Sequence, residues 1–259
     1  ASKAMVLDSS ADITGGRNLT ISGELDAATG DFSGDVDIDG TLETDAITLG
    51  GASFIKVEGT NFTDSLIVGH STTGTLNAAT SNTGVGIDAF NAVTSADYCT
   101  AVGFNSLGAN TTGLYNTGIG ADSLKSVSSG GANTGLGYNS LNQCSGDYNT
   151  GIGRSAGGAI QAGDYNICIG KDGGDNITSG SGNIIIGTAD AGSATGDHQL
   201  LIAGYNGSST VTWIDGDSSG NVTFPAEIDG ATLDISGNAD IDGTTNLDAV
   251  DIDGAVQID

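Results

Sequence analysis

The chain has 259 residues, 44 of them Gly and one Pro, with aromatic side chains at 5%; so little bulk and so much φ freedom exclude a thick globular core and favour short strands joined by tight turns. Six basic residues stand against 32 acidic ones, a formal charge of −26, which excludes a phosphate-binding face and with it nucleic-acid recognition. No apolar run approaches the ~20 residues that cross a bilayer as a helix, the longest being Ile184-Ile185-Ile186 and Leu200-Leu201-Ile202-Ala203, so no membrane insertion is expected.

In residues 1–64 apolar and acidic side chains alternate, as in Val36-Asp37-Ile38-Asp39. That is the period of a strand with one wet face. Asp35-Val36-Asp37-Ile38-Asp39-Gly40 matches the first half of a calcium loop, but the twelfth position, where an EF-hand needs a bidentate Glu, is Ala46. Strand alternation accounts for the same residues, and no metal ligand is assigned.

A fixed period then takes over across residues 65–204. Asn82-Thr83-Gly84-Val85-Gly86 recurs as Asn116-Thr117-Gly118-Ile119-Gly120, Asn133-Thr134-Gly135-Leu136-Gly137 and Asn149-Thr150-Gly151-Ile152-Gly153, with weaker copies ending on Gly103, Gly170 and Gly187. Degenerate copies end on Gly69 and Gly204, so nine copies are separated by intervals of 17 with one of 16. After the glycine a second element recurs as Ala89-Phe90, Ser106-Leu107, Ser123-Leu124 and Ser140-Leu141. Each copy therefore reads as two short strands and two turns, one coil of a β-roll or β-solenoid. The fourth position is apolar in every copy, from Val68 through Val85, Ile119 and Ile152 to Ala203, and is expected to fill the interior. The third position, Gly84, Ala101, Gly118, Gly135 and Gly151, then points outward and is expected to face other chains at close approach. On this reading Gly118 sits on a crowded assembly face and Asn110 in an inter-strand turn.

Residues 205–259 return to the alternating pattern. Segment 234–244 (DISGNADIDGT) matches segment 31–41 (DFSGDVDIDGT) at eight of eleven positions, and Asp217-Ser218-Ser219 with Val222 repeats Asp8-Ser9-Ser10 with Ile13. One β-rich shaft module thus flanks the roll on both sides, with the half calcium loop repeated at 238–243 and Ala249 at its twelfth position. Such strands bury little by themselves and leave unpaired edges, defects that association with identical chains removes.

Residues for catalysis are sparse. His70 and His198 fall at opposite ends of the roll, about eight rungs apart, and share no site. Trp213 is the one tryptophan, which argues against the aromatic platforms of polysaccharide-cleaving enzymes. Cys99, Cys144 and Cys168 form no metal-binding pattern. At ~4.8 Å per rung, Cys99 and Cys168 lie roughly 19 Å apart, beyond disulfide reach. No catalytic, cofactor-binding or metal-binding residue is assigned, and no cofactor is expected.

The NTGIGxxSL repeats, the DISGxxDIDG flanks and the stretch 213–220 (WIDGDSSG) resemble sequences of phage tail fibres, the marine ones in particular. More distantly the repeats are similar to the heads of trimeric autotransporter adhesins, although those use a shorter repeat. The resemblance implies an all-β, elongated, parallel homotrimer: a shaft module at 1–64, a β-roll at 65–204 and a second shaft module at 205–259. It implies a non-enzymatic structural component of a virion, an extracellular appendage that attaches to the host. Its partners would be other tail or baseplate proteins and a host receptor or polysaccharide. A bacterial surface adhesin of the same construction is the alternative, and a polysaccharide-cleaving tailspike a second one.

Overall fold

The computed structural model describes residues 61–69 and 73–225, together with the backbone pairing of two strands before them, all within one compact unit, Ala46–Asp259. His70, the half calcium loop at 35–40, its copy at 238–243 and the flank segments 8–13, 31–41 and 234–244 lie outside the described residues, whereas Asp217-Ser218-Ser219 and Val222 lie within them. All regular structure among the described residues is β.

β1 (Ile47–Leu49) pairs antiparallel with β2 (Ala52–Gly59), and β2 with β3 (Phe62–Val68). The two-residue β4 (Ala79–Thr80) runs parallel beside β3. From β3 the main ladder turns parallel. Three-residue strands β5 (Thr83–Val85), β6 (Thr100–Val102), β7 (Thr117–Ile119), β8 (Thr134–Leu136), β9 (Thr150–Ile152), β10 (Ile167–Ile169) and β11 (Ile184–Ile186) stack one above another in register. β12 (Leu200–Tyr205) completes the stack, then pairs antiparallel with β13 (Thr210–Gly216), which pairs with β14 (Val222–Thr223). Nine parallel strands make eight steps of a β-solenoid, with antiparallel strands continuing the sheet at either end. Those end strands satisfy backbone groups that bare solenoid ends would present as pairing edges.

Three expectations are corrected. First, each coil holds one strand, not two, because the segments at Ser106-Leu107, Ser123-Leu124 and Ser140-Leu141 are turns. Left-handed φ values alternate through them (Asn105 57°, Leu107 50°; Asp122 55°, Leu124 50°), which forbids an extended backbone. The coils still bond to each other there, Leu107 N–H donating to Ser123 O at 3.0 Å and Leu124 N–H to Ser140 O at 2.9 Å. Second, the last copy is displaced by one residue: Ile186 pairs with Ile202, so Ala203 rather than Gly204 closes the final coil. The step from Gly187 to Ala203 is therefore a second interval of 16, and Gln199 takes the place that Asn183 holds one coil earlier, donating its backbone N–H to Asn183 Oδ1 at 2.8 Å and its side-chain Nε2 to the same oxygen at 3.1 Å.

Third, the two strand faces are exchanged. Ile67, Ala101, Cys168 and Ile185, at the third position, are fully buried, while Val85, Ile119, Leu136 and Ile152, at the fourth, are 36–44% exposed. Third-position residues are small because the turn of the preceding coil already fills the interior. A Cβ added to Gly118 would lie 2.7 Å from Ser106 Oγ and 3.3 Å from Leu107 Cγ, and one added to Gly135 would lie 2.5 Å from Ser123 Oγ and 3.2 Å from Leu124 Cγ. Where the third position grows, the turn shrinks. Cys168 follows the turn Ala156-Gly157 and Ile185 the turn Gly173-Gly174, and a Cβ at Gly174 would meet Cys168 Sγ at 2.7 Å. The interior thus keeps one volume while its source moves from turn to strand, as close packing demands.

Candidate interaction surface

Each corner before a strand is held by a buried asparagine. The side chain of Asn133 donates from Nδ2 to Gly146 O at 2.8 Å, and its Oδ1 accepts from the N–H of Asn149 at 2.8 Å. Asn82, Asn116, Asn149, Asn166 and Asn183 repeat the arrangement, each carboxamide tying its own coil to the next. Cys99 stands in this column in place of asparagine, its Sγ donating to Gly113 O at 3.3 Å and accepting from Asn116 N–H at 3.4 Å. Among the described residues no buried side-chain nitrogen or oxygen lacks a partner. The column is thus a satisfied polar spine, not a reactive one.

The thiols belong to the same interior. All three are buried and unpaired. Burial pushes Cys99 and Cys144 up to about 11 and Cys168 up to about 12, so none is a thiolate at neutral pH. Cys168 occupies the third position, which was expected to face other chains, and points inward over Gly157 and Gly174. Asn110, expected in an inter-strand turn, is fully buried and closes its own corner, accepting from Gly113 N–H at 2.9 Å and donating to Gly113 O at 3.1 Å. His198 is exposed at the last coil, its ring over the Cα of Gly182.

Outward chemistry lies on three features. The first is the strand face, where Val85, Ile119, Leu136 and Ile152 form one aliphatic column; beside it runs a second column of threonines, Thr83, Thr100, Thr117, Thr134 and Thr150, that becomes Ile167 and Ile184 toward the C-terminal coils. The second is a ladder formed by the column one residue before the asparagines, Tyr98, Tyr115, Ala132, Tyr148, Tyr165, Gly182 and His198, whose tyrosines and histidine are exposed. Successive members occupy successive coils, since Tyr115, Ala132 and Tyr148 donate their N–H groups to Asp97 O, Leu114 O and Gly131 O. Tyr98 and Tyr115 stack at 5.2 Å between ring centroids, and Tyr148 and Tyr165 at 4.8 Å, each pair within 6° of parallel. The tyrosines hold left-handed φ values of 56–59° that throw the rings clear of the coil, and 54–61% of each is exposed. Tryptophan was the sole aromatic weighed in the sequence, and this ladder is what that overlooked.

The third feature is a cleft lined by Asp172, Asp175, Thr188, Ala189, Asp190 and Thr210. Burial, a hydrogen bond with Asp190 and the charges of Asp190 and Asp172 push Asp175 up to about 6, against the opposing pull of Arg154. Arg154 and Lys171 both pair with Asp172. No group of His, Cys, Asp and Glu among the described residues is arranged to hold a metal ion.

Comparison with protein-family models, with curated proteins and with solved structures finds no match to this chain.

Proposed function

We propose that this chain is a segment of a phage tail fibre or spike, a structural component of the virion that works as a parallel homotrimer in attachment to the host. The observation that supports the reading best is the aliphatic column on the strand face, Val85, Ile119, Leu136 and Ile152 each being more than a third exposed on an otherwise acidic chain. An apolar stripe that runs up consecutive coils marks a surface for association, and burying it removes apolar area from water at about 25 cal/mol per Å². Three parallel chains bring each rung level with its own copies, so a uniform column meets a uniform column. The threonine column beside it supplies hydroxyls that bond across such an axis without adding charge. On this reading the interior ladders make a stiff rod, the high negative charge keeps the rod soluble, and the chain has no catalytic role.

Sedimentation equilibrium at micromolar concentration tests the assembly. The chain should sediment at three times its own mass, and Leu136→Lys with Ile152→Lys should give a folded monomer with unchanged β circular dichroism. A stable folded monomer of the unsubstituted chain sinks the reading.

A further inference from the structure

We infer that the interruption of the tyrosine ladder at Ala132 is a binding slot for one pyranose ring of a neutral or cationic saccharide, held between Tyr115 and Tyr148. The inference deepens the attachment reading by naming a ligand class, and its biological sense rests on that reading, but the slot is formed within one chain. Tyr115 and Tyr148 are two coils apart, with Ala132 between them in the same column. Each is covered on its far side by a stacked partner, Tyr98 and Tyr165. The faces turned toward Ala132 are the ones without a stacked ring. Two coil steps at about 4.8 Å each put the walls about 10 Å apart. A flat aromatic guest in contact with both walls needs only about 7 Å, whereas a puckered saturated ring, touching at about 4 Å on each side and about 1–2 Å thick itself, needs about 9–10 Å.

The surroundings suit a guest with apolar faces and a hydroxylated rim. Ala132 is a small, half-buried floor. Asp147 uses one oxygen on Gly131 N–H at 2.6 Å and keeps the second for a hydroxyl, and Asp164 is tied in the same way to Asp147 N–H at 2.8 Å. Thr134, exposed two residues beyond Ala132, adds a hydroxyl on the strand side. The carboxylates beside the slot disfavour uronic or sulfated sugars, as does the overall charge of −26. The other gap in the ladder, at Gly182, differs because the ring of His198 lies over it.

Saturation-transfer NMR on the assembled protein tests the slot, with maltotetraose, chitotetraose and mannotetraose as probes at concentrations on the order of 1 mM, tetragalacturonate as the anionic control and indole as the aromatic one. At least one neutral probe should receive saturation, and both controls should not. Tyr115→Ala should weaken that probe at least about tenfold, while Tyr138→Ala, exposed in a different column, should leave it unchanged. Ala132→Tyr is the sharper variant: it continues the ladder at a φ of 55° that four tyrosines already adopt, fills the slot without removing a ring, and should abolish binding. If that variant misfolds, Tyr148→Ala decides in its place. No transfer to any neutral probe, transfer to indole alone, or binding that survives a folded Ala132→Tyr overturns the inference. Sedimentation of the same samples separates it from the assembly reading: a trimer that ignores every sugar removes the slot alone, and a monomer that binds one removes the trimer alone.

Discussion

Exchange of volume between turn and strand can be tested by moving it to a coil where it does not occur. Gly118→Ile forces a branched side chain where even a Cβ would lie 2.7 Å from Ser106 Oγ and 3.3 Å from Leu107 Cγ, an overpacking that costs about 3 kcal/mol, the upper part of the usual range. Ser106→Gly with Leu107→Gly empties the other side. That change loses a buried leucine, about 2–5 kcal/mol, and the bond from Ser106 Oγ to Gly118 O at 2.9 Å, about 1 kcal/mol. Removing a left-handed leucine, at φ 50°, returns about 1–2 kcal/mol. The turn variant alone should thus cost about 1–5 kcal/mol, and independent effects would sum to about 4–8. Combined, the three changes reproduce Gly173-Gly174 opposite Ile185, and contact between the sites should recover about 1–3 kcal/mol of that sum. Thermal melts followed by circular dichroism read the difference as several degrees, at about 2–4 °C per kcal/mol for a chain of this size. A combined variant that melts at or below the additive expectation refutes the volume argument.

Further expectations follow from single positions. Gly86→Ala places a Cβ 2.6 Å from Gly103 O at a φ of +134°, and should lower the melting temperature far more than Gly207→Ala, at φ +93° with nothing within 4 Å; equal shifts would remove the argument from close approach. Asn133→Ala strands the N–H of Asn149 in the interior and leaves Gly146 O only the long contact from Cys144 Sγ, for a loss of about 2–4 kcal/mol by urea titration. Asn133→Cys, imitating Cys99, should lose less. Asp175 is raised above its unfolded value, so its contribution to stability is present below about pH 4 and lost as pH rises through about 6. Melting of the wild type relative to Asp175→Asn should therefore worsen between pH 4 and pH 7, and a constant difference would contradict the shared environment with Asp190. Native Cys99, Cys144 and Cys168 should resist a thiol reagent at neutral pH and react only on unfolding, as their burial requires.

Much of this architecture was legible because stacking demands repetition. The glycines at positions such as Gly86, Gly103 and Gly137 recur because each bends at positive φ against the backbone of the next coil, so the period and the all-β class could be read directly. Alternation also showed that Gly118 and Ile119 face opposite ways. Which way was in was hidden, since a glycine beside an isoleucine suggests an apolar interior until Leu107 and Leu124 are known to fold over the glycines. Those leucines adopt left-handed φ values that propensity disfavours, and only tertiary packing sustains them. The tyrosine ladder was readable in principle. Tyr98, Tyr115, Tyr148 and Tyr165 keep the spacing of the motif, and aligning every column of the repeat would have found them. The contact between Asp175 and Asp190 has no periodic counterpart and no signal short of the fold.

Electron cryo-microscopy of the assembled protein tests directly whether the aliphatic strand face lies between chains. The expected density shows three parallel solenoids with their rungs level, Ile119, Leu136 and Ile152 of each turned toward a common axis. Separate solenoids, antiparallel chains, or an axis lined by the turns that carry Leu107 and Leu124 would contradict it.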